Sequence, residues 1–231
     1  MREHSSVPKG YRGVAMEGFI ARRYAKLRRT DEQIAGWKRQ AARWTTGLEE
    51  GASVLEVAPG PGNFAIELAR SGRLHVTGLD ISRTFVEIAQ SNARTAGVAV
   101  DFRWGDASAM PFTDATFDLV VCQAAFKNFS RPIDAMNEMH RVLRAGGTAI
   151  IEDLRKDASE AGIREEVAAM HLGLWSSFMT RRILGGLRRR AYTAKGFERF
   201  ATESRFGGCE TTTTGVGVEV RLRKLGDALR E

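Results

Sequence analysis

From residue 53 onward, short apolar runs alternate with longer amphipathic stretches. The apolar runs predict buried strands at 54–58, 74–80, 100–106, 117–123 and 148–153. Between them, apolar residues at helical spacing predict helices at 63–69, 81–96 and 131–144. Strands that alternate with helices form parallel sheets with right-handed crossovers. The remaining pattern predicts a last helix at 193–204, followed by antiparallel strands at 209–214 and 216–225.

Two further amphipathic stretches precede the first strand, and another interrupts the core pattern. The first two predict helices at 16–27 and 30–48, with Thr30 as the N-cap of the second. The third, at 154–192, predicts a helical insertion. We therefore expect one domain with four parts. These are an N-terminal helical cap (1–48), a ligand-binding core (49–153), a helical lid insertion (154–192) and a last core helix with strands (193–231).

The composition is that of an ordinary globular protein, with 43% hydrophobic and 27% charged residues. No apolar run approaches the roughly 18 residues of a membrane helix, so we expect no membrane span. Two cysteines do not make a disulfide framework, which favours a reducing, cytoplasmic setting. The net charge of +7 is unevenly distributed, because residues 49–153 are acidic and the segments on either side are basic.

The strand, turn and helix at 54–69 are the strongest candidate for a ligand site. The turn contains two prolines and two glycines, so its backbone can approach a ligand closely, and Asn63 is the expected N-cap of the helix. The spacing also matches a dinucleotide fingerprint, with Asp80 at a suitable distance for a ribose contact. Glu56, inside the strand, argues against that ligand because its charge would repel a pyrophosphate.

Five motifs occur in a fixed order over residues 50–153. They are 56–62 (EVAPGPG), 78–82 (GLDIS), 105–112 (GDASAMPF), 117–122 (FDLVVC) and 138–147 (EMHRVLRAGG). Together they resemble the class I S-adenosylmethionine-dependent methyltransferases, in particular the ubiquinone/menaquinone-biosynthesis type with a methyltransferase-11-like domain. The resemblance implies an α/β fold with a Rossmann-like, doubly wound, seven-stranded sheet. That sheet is mostly parallel, with an antiparallel C-terminal strand.

The resemblance also implies a cofactor, S-adenosyl-L-methionine, which leaves as S-adenosyl-L-homocysteine. Asp80 would accept hydrogen bonds from the ribose hydroxyls, and Glu56 would help to hold the cationic methionine end. The full set of implied cofactor-binding residues is Glu56, Ala58, Gly60, Gly62, Asp80, Ile81, Asp106, Ala107, Met110, Gln123 and, from the N-terminal cap, Tyr24 with Trp37 as a further candidate. The family usually has glycine at the position of Ala58, and alanine fits there without strain only if the backbone keeps a negative φ.

The acceptor side is less specified by the sequence. Lys127 and Asn128 follow the fourth strand and are candidates for catalytic contacts, and His171 in the insertion is a candidate general base. The histidines show no metal-ligand spacing, so we expect no metal. Arginines at 188–190 lie in a segment expected to roof the site, which favours an anionic acceptor or docking on an anionic surface.

These features predict an enzyme of the methyltransferase class that acts on a small molecule by in-line displacement. Two alternatives remain open at this stage. The basic flanking segments are compatible with an RNA or protein methyltransferase, although we expect no stable nucleic-acid partner. The glycine-rich turn is compatible with a nucleotide-binding oxidoreductase or a non-catalytic binding protein. The sequence leaves the oligomeric state open.

Overall fold

The computed structural model describes residues 11–12, 16–27, 31–169 and 174–226. The described residues form seven strands and eight α-helices, with a short 3₁₀ turn at Phe126–Asn128. The strands are β1 (Ser53–Val57), β2 (His75–Asp80), β3 (Asp101–Trp104), β4 (Phe117–Gln123), β5 (Leu143–Leu154), β6 (Glu210–Thr214) and β7 (Gly217–Arg223). The helices are α1 (Gly18–Leu27), α2 (Asp31–Trp44), α3 (Asn63–Ala69), α4 (Arg83–Ala96), α5 (Pro132–Val142), α6 (Glu160–Ala169), α7 (Leu174–Arg188) and α8 (Ala194–Glu203).

The strands form one sheet in the order β3-β2-β1-β4-β5-β7-β6. Strands β1 to β5 pair in parallel, and β7 runs antiparallel to both β5 and β6. The strand order reverses between β1 and β4, which opens a crevice beyond the carboxyl ends of these strands. The predicted fold class is therefore confirmed.

Each face of the sheet carries its own hydrophobic core, because alternate side chains of a strand point to opposite faces. On one face, Leu55 and Val120 pack with Met136 of α5 and Phe197 of α8. On the other face, Val54 packs with residues of α2, α3 and α4. Among the aromatic pairs of that second core, Trp44 of α2 meets Phe64 of α3 edge to face, with ring centroids 5.4 Å apart. The two layers of helices hold the carboxyl ends of the strands in fixed positions.

The largest error in the predicted elements concerns the junction of α5 and β5. The sequence predicts a helix to residue 144 and a strand from 148, whereas α5 ends at Val142 and β5 begins at Leu143. Gly146 has a φ of +79°, and its N–H donates to the Lys224 carbonyl at 2.8 Å. The glycine pair therefore continues the strand through an irregular step, where the sequence pattern indicates a helix end.

Other element boundaries also differ from the predicted ones. Asn63 is the first residue of α3 and not its N-cap, because Gly62 occupies the cap position in a left-handed conformation. The insertion forms two described helices, α6 and α7, where a single helical segment was expected. The predicted cap residue Thr30 lies outside the described residues. None of the helices in the described ranges is both long and apolar enough to cross a lipid bilayer.

Candidate functional site

A cavity of about 310 Å³ lies at the carboxyl ends of β1, β2 and β4, where the strand order reverses. Its floor comes from the turn after β1 and the ends of β2 and β4, and its roof comes from the N-terminal segment and the end of α7. Most of the residues predicted for the site line this cavity. They are Glu56, Ala58, Gly60, Asp80, Ile81, Asp106, Ala107 and Gln123 from the core, Tyr24 and Trp37 from the N-terminal helices, and Lys127 and Asn128 after β4.

Asp80, at the end of β2, is buried and holds two loops together. Its Oδ2 accepts a hydrogen bond from the Gly60 N–H at 2.9 Å, and its Oδ1 accepts one from the Ser82 N–H at 2.8 Å. Burial raises the pKa of Asp80 to about 6, although both N–H groups favour the ionised form and lower it. The carboxylate therefore fixes the glycine-rich turn in addition to facing the cavity.

Glu56, near the end of β1, has a buried carboxyl group in which one oxygen forms no hydrogen bond with the described residues. Its exposure is 3%, and its Oε2 has no hydrogen-bond partner among the described residues. Burial raises the pKa of Glu56 to about 8, and the neighbouring Asp80 adds to this rise, while a backbone N–H of Ala65 opposes it. An unpartnered buried acceptor is costly, so this oxygen indicates that a cationic or hydrogen-bond-donating ligand group belongs beside it.

Ala58 does not meet the condition for an unstrained alanine. Its φ is +57°, in the left-handed region that favours glycine, and not a negative value. The turn geometry is enforced from both sides, because the Ala58 N–H donates to the Leu79 carbonyl at 2.8 Å and Asp80 holds Gly60. Alanine at this position therefore stores backbone strain in the cavity wall.

We expect the Ala58→Gly variant to be more stable than the wild type by about 0.5–1 kcal/mol, because glycine relieves the strain at positive φ. Urea unfolding followed by circular dichroism measures the change. The matched control is Ala42→Gly, at an exposed position of α2, which should lose about 0.5–1 kcal/mol because glycine lowers helix propensity. A loss of equal size in both variants would contradict the strained geometry at Ala58.

The two glycines of the turn have different roles. Gly60 has a φ of +55° and lines the cavity, and a Cβ added there would meet no atom within 4 Å. Gly62 has a φ of +78°, and an added Cβ would lie 2.6 Å from Phe102 and 2.9 Å from Ala89. Gly62 therefore allows α3 to pack against the sheet, and the structure does not bring it to the cavity wall as the sequence reading expected.

Asp106 and Met110, two further residues predicted to bind the cofactor, differ in their positions relative to the cavity. Asp106 lines the cavity, but its Oδ1 accepts hydrogen bonds from the N–H and hydroxyl of Ser108 at 2.8 and 2.6 Å. Burial would raise the pKa of Asp106, yet these bonds and the Arg131 guanidinium lower it below its usual value. Met110 is buried in the core under the sheet and lies outside the cavity wall, because its N–H is held by Glu138 at 2.6 Å.

Lys127 lines the cavity, but its ammonium group is already engaged. Its Nζ lies 2.8 Å from Asp153 Oδ1 and also donates to the Ala124 carbonyl, and the side chain is only 4% exposed. A lysine held in this way positions the segment after β4 and does not offer a free amine to an acceptor. Asn128 differs, because its Oδ1 is buried without a partner among the described residues. The third catalytic candidate, His171, lies outside the described residues.

The N-terminal segment is held over the cavity as a roof by hydrogen bonds that the sequence did not predict. Glu17 accepts hydrogen bonds from the Arg83 N–H at 2.9 Å and from the Thr84 hydroxyl at 2.6 Å, and Ser82 donates to the Met16 carbonyl at 2.7 Å. These bonds fix the segment over the N-terminus of α4, beside Asp80. No local motif signals this contact, because its partners are more than 60 residues apart in the chain.

Further roof residues come from three separate segments. Tyr11 pairs with Phe129 in an isolated antiparallel bridge, and the Arg12 N–H donates to the Asn128 carbonyl at 2.6 Å. Burial raises the pKa of Tyr11, although the positive charge of Arg190 lowers it in part. Arg190 itself lines the cavity just beyond the end of α7. These residues cover part of the cavity on the side away from the sheet.

The comparisons with known proteins agree with this geometry. Residues 55–151 match a family described as a methyltransferase domain. The demethylmenaquinone methyltransferase of Deinococcus radiodurans is 34% identical over 154 residues, which cover 65% of this chain and 64% of that protein. A ubiquinone/menaquinone biosynthesis C-methyltransferase of Roseobacter denitrificans is 32% identical over 156 residues, covering 63% and 61%. The chain thus matches less than two thirds of the length of these relatives.

Solved structures share the fold at low sequence identity. A SAM-dependent methyltransferase from Aquifex aeolicus superposes with a TM-score of 0.67 at 17% identity, covering 90% of this chain and 100% of that one. The cyclase SpnF superposes with a TM-score of 0.54 at 21% identity, covering 94% and 87%. Since a protein named as a cyclase has the same architecture, the fold alone does not define the reaction.

Proposed function

We propose that the chain is a class I S-adenosylmethionine-dependent methyltransferase that transfers a methyl group from S-adenosylmethionine to a small-molecule acceptor. The observation that carries the proposal is the buried, unpartnered Oε2 of Glu56 in the cavity wall. The methionine end of the cofactor carries an ammonium and a sulfonium charge. Glu56 can ionise beside such a cation, whereas a dinucleotide pyrophosphate would offer it no cation and would be repelled by its ionised form.

The remaining cavity residues support a consistent position for the cofactor. Asp80 keeps lone pairs free for the ribose hydroxyls while it holds the turn at Gly60. Gly60 carries no side chain, so its backbone can lie against the sugar and the methionine chain. Ile81 and Ala107 supply apolar contacts for the faces of the adenine ring. Glu56 argues against one of the alternatives, a nucleotide-binding oxidoreductase.

An aromatic, quinone-like acceptor has the best support. Both named relatives carry quinones in their printed descriptions, and the part of the cavity beyond the cofactor residues includes Tyr11 and Phe129. The unpartnered Oδ1 of Asn128 can accept a hydrogen bond from a hydroxyl of such a molecule. The roof over the cavity favours a small molecule over an RNA strand or a protein side chain, because these need an open approach to the site.

In the proposed reaction, the main role of the protein is to align the methyl donor with the acceptor. The cofactor supplies a methyl group that is already activated on a sulfonium, so holding the nucleophile in line with it provides much of the rate enhancement. The hydroxyl of Tyr11 remains protonated at neutral pH because burial raises its pKa, and it can donate a hydrogen bond to an acceptor oxygen. Lys127 keeps the segment after β4 in place through Asp153.

Binding of S-adenosylhomocysteine at pH 7 is expected to release close to one proton, because Glu56 has a pKa of about 8 in the free protein and ionises beside the ligand's ammonium group. Isothermal titration calorimetry in two buffers with different ionisation enthalpies measures the released protons. The Glu56→Gln variant keeps the shape of the side chain but has no proton to release, so it should bind more weakly with little buffer dependence. Equal proton release by both proteins would contradict the role of Glu56.

The raised pKa also predicts how stability depends on pH. The folded state of the free protein holds the Glu56 proton more tightly than the unfolded state, where the pKa is near 4.5. The contribution of this group to stability is therefore fully present below about pH 4.5 and is lost as the pH rises through about 8. Asp80 acts in the same direction between about pH 4 and 6.

Methyl transfer can be tested before the acceptor is identified. The purified protein is incubated with methyl-labelled S-adenosylmethionine and a cell extract, which is then separated into small-molecule, RNA and protein fractions. We expect the label in the small-molecule fraction. Label in the RNA or protein fraction would refute the proposed acceptor class, and the absence of label from all three fractions would refute transfer to any acceptor in that extract.

A further inference from the structure

A second concave surface lies next to the cavity and shares Arg190 with it. This basic cleft has a volume of about 470 Å³. Six cationic side chains contribute to its wall: Arg12, Lys156, Arg189, Arg190, Lys195 and Arg199. Its described wall contains no carboxylate, and its other members are apolar residues, glycine, Tyr192 and Thr193. Because so many cationic residues surround one space, the electrostatic potential in the cleft is strongly positive.

The cleft is built by separate segments that meet at Tyr192. The Arg12 guanidinium donates to the Tyr192 hydroxyl at 3.0 Å, and the Lys156 N–H donates to the Tyr192 carbonyl at 3.0 Å. Directly after it, Thr193 caps α8, with its Oγ1 accepting from the Gly196 N–H at 3.0 Å. Cations that are distant in sequence are therefore held around one point by hydrogen bonds.

The charges of the cleft are not neutralised within the described chain. Arg12, Lys156, Arg189, Arg190 and Lys195 form no ion pair there, and Arg199 alone has a carboxylate, Glu203, at 3.7 Å. Two arginines that are adjacent in sequence to these cations do form ion pairs. Arg155 lies 3.9 Å from Asp157, and Arg188 lies 3.8 Å from Glu160. The unpaired cations thus converge on the cleft, while the adjacent arginines outside it have anionic partners.

We propose that the basic cleft binds a phosphate-bearing group. A multiply charged anion suits it because several cationic residues line one space, and guanidinium groups bind phosphate oxygens in a bidentate geometry. A single carboxylate would neutralise only one of these cations. The hydroxyl of Tyr192 provides a neutral donor, and the N-terminus of α8 adds a favourable dipole.

The position of Arg190 connects the cleft to the cavity. Because this residue lines both, an acceptor bound beside the cofactor can extend a phosphate past it into the cleft. In that arrangement the phosphate selects the acceptor, and this part of the inference rests on the proposed methyl transfer. The affinity of the cleft for phosphate does not rest on it, since a free phosphate or pyrophosphate ion would use the same contacts.

Binding of inorganic pyrophosphate to the full chain provides the test. Isothermal titration calorimetry at low salt compares the wild type with the Arg189→Gln/Lys195→Gln variant, which removes two charges from the cleft. The matched control is Arg181→Gln/Arg182→Gln, which removes two charges from exposed positions of α7 outside the cleft wall. We expect the cleft variant to bind at least about tenfold more weakly, and the control to bind as the wild type does.

Two outcomes would overturn the proposal. Equal weakening in both double variants would show that pyrophosphate responds to the general positive charge of the protein. No binding by the wild type would show that the cleft has no affinity for phosphate. Thermal unfolding of all three proteins excludes a folding defect as the cause of a difference.

Analysis of the methylated product distinguishes a phosphate carried by the acceptor from a free phosphate ion. After incubation with labelled S-adenosylmethionine and extract, a product that loses its retention on an anion-exchange column after phosphatase treatment carries the phosphate itself. A product that is neutral from the start assigns the cleft to a free anion. If pyrophosphate binds the cleft and no label is transferred to any fraction, methyl transfer to the acceptors of that extract is refuted and the phosphate site stands.

Discussion

Replacement of Lys127 by methionine is expected to lower the free energy of unfolding by about 3–5 kcal/mol. The Lys127 side chain is 4% exposed and that of Asp153 is fully buried, with 2.8 Å between Nζ and Oδ1. Methionine fills a similar volume but leaves the Asp153 carboxylate buried without its cation. Removal of one partner from a buried pair is costly for this reason.

Urea unfolding of Lys127→Met measures this loss directly. The control is Lys38→Met, on the exposed side of α2, which should change stability by no more than about 0.5 kcal/mol. A second variant that also replaces Asp153 with asparagine removes the buried charge and should recover part of the loss. If Lys127→Met and Lys38→Met unfold alike, Lys127 is not a positioning residue and becomes a candidate for direct contact with the acceptor.

The Gly62→Ala variant is expected to lose about 2–5 kcal/mol. Part of the loss, about 1–2 kcal/mol, comes from placing a side chain at a φ of +78°. The remainder, about 1–3 kcal/mol, comes from overpacking, since the new methyl group would lie 2.6 Å from Phe102 and 2.9 Å from Ala89.

A second glycine separates these two contributions. Gly72 has a φ of +65°, and an added Cβ would meet no atom within 4 Å. Gly72→Ala should therefore show the backbone cost alone, about 1–2 kcal/mol. Denaturant unfolding of both variants tests the difference. Equal losses would mean that α3 shifts at no cost, and Gly62 would then be needed only for its backbone conformation.

The sequence predicts those parts of the molecule whose signals are local. Apolar runs and turn residues correctly predict the βα order, and the five motifs correctly predict the doubly wound sheet and the match to a methyltransferase-domain family. Glu56 and Asp80 occupy strand ends, so their arrival at one edge of the sheet follows from the parallel topology. The end of α5 was predicted incorrectly because the pairing of Gly146 with Lys224 depends on β7, which is distant in sequence.

The features that the sequence did not predict depend on contacts between segments that are distant in the chain. The roof formed by Met16 and Glu17 is set by hydrogen bonds to α4, and nothing in the local sequence specifies that partner. The sequence reading of Lys127 as a residue facing the acceptor could not include Asp153, which reaches it from a neighbouring strand. The positive φ of Ala58 is likewise enforced by tertiary hydrogen bonds against the preference of the residue.

The central claim is that the cavity around Glu56 and Asp80 binds S-adenosylmethionine. The direct measurement is a calorimetric titration of S-adenosylhomocysteine, and separately of NAD, into the wild type and the Asp80→Ala variant. We predict that the wild type binds S-adenosylhomocysteine at one site and does not bind NAD. Asp80→Ala should bind S-adenosylhomocysteine more weakly by about 1–3 kcal/mol because charge-assisted hydrogen bonds are lost. Binding of NAD without S-adenosylhomocysteine, or equal affinity in a folded Asp80→Ala variant, would contradict the claim.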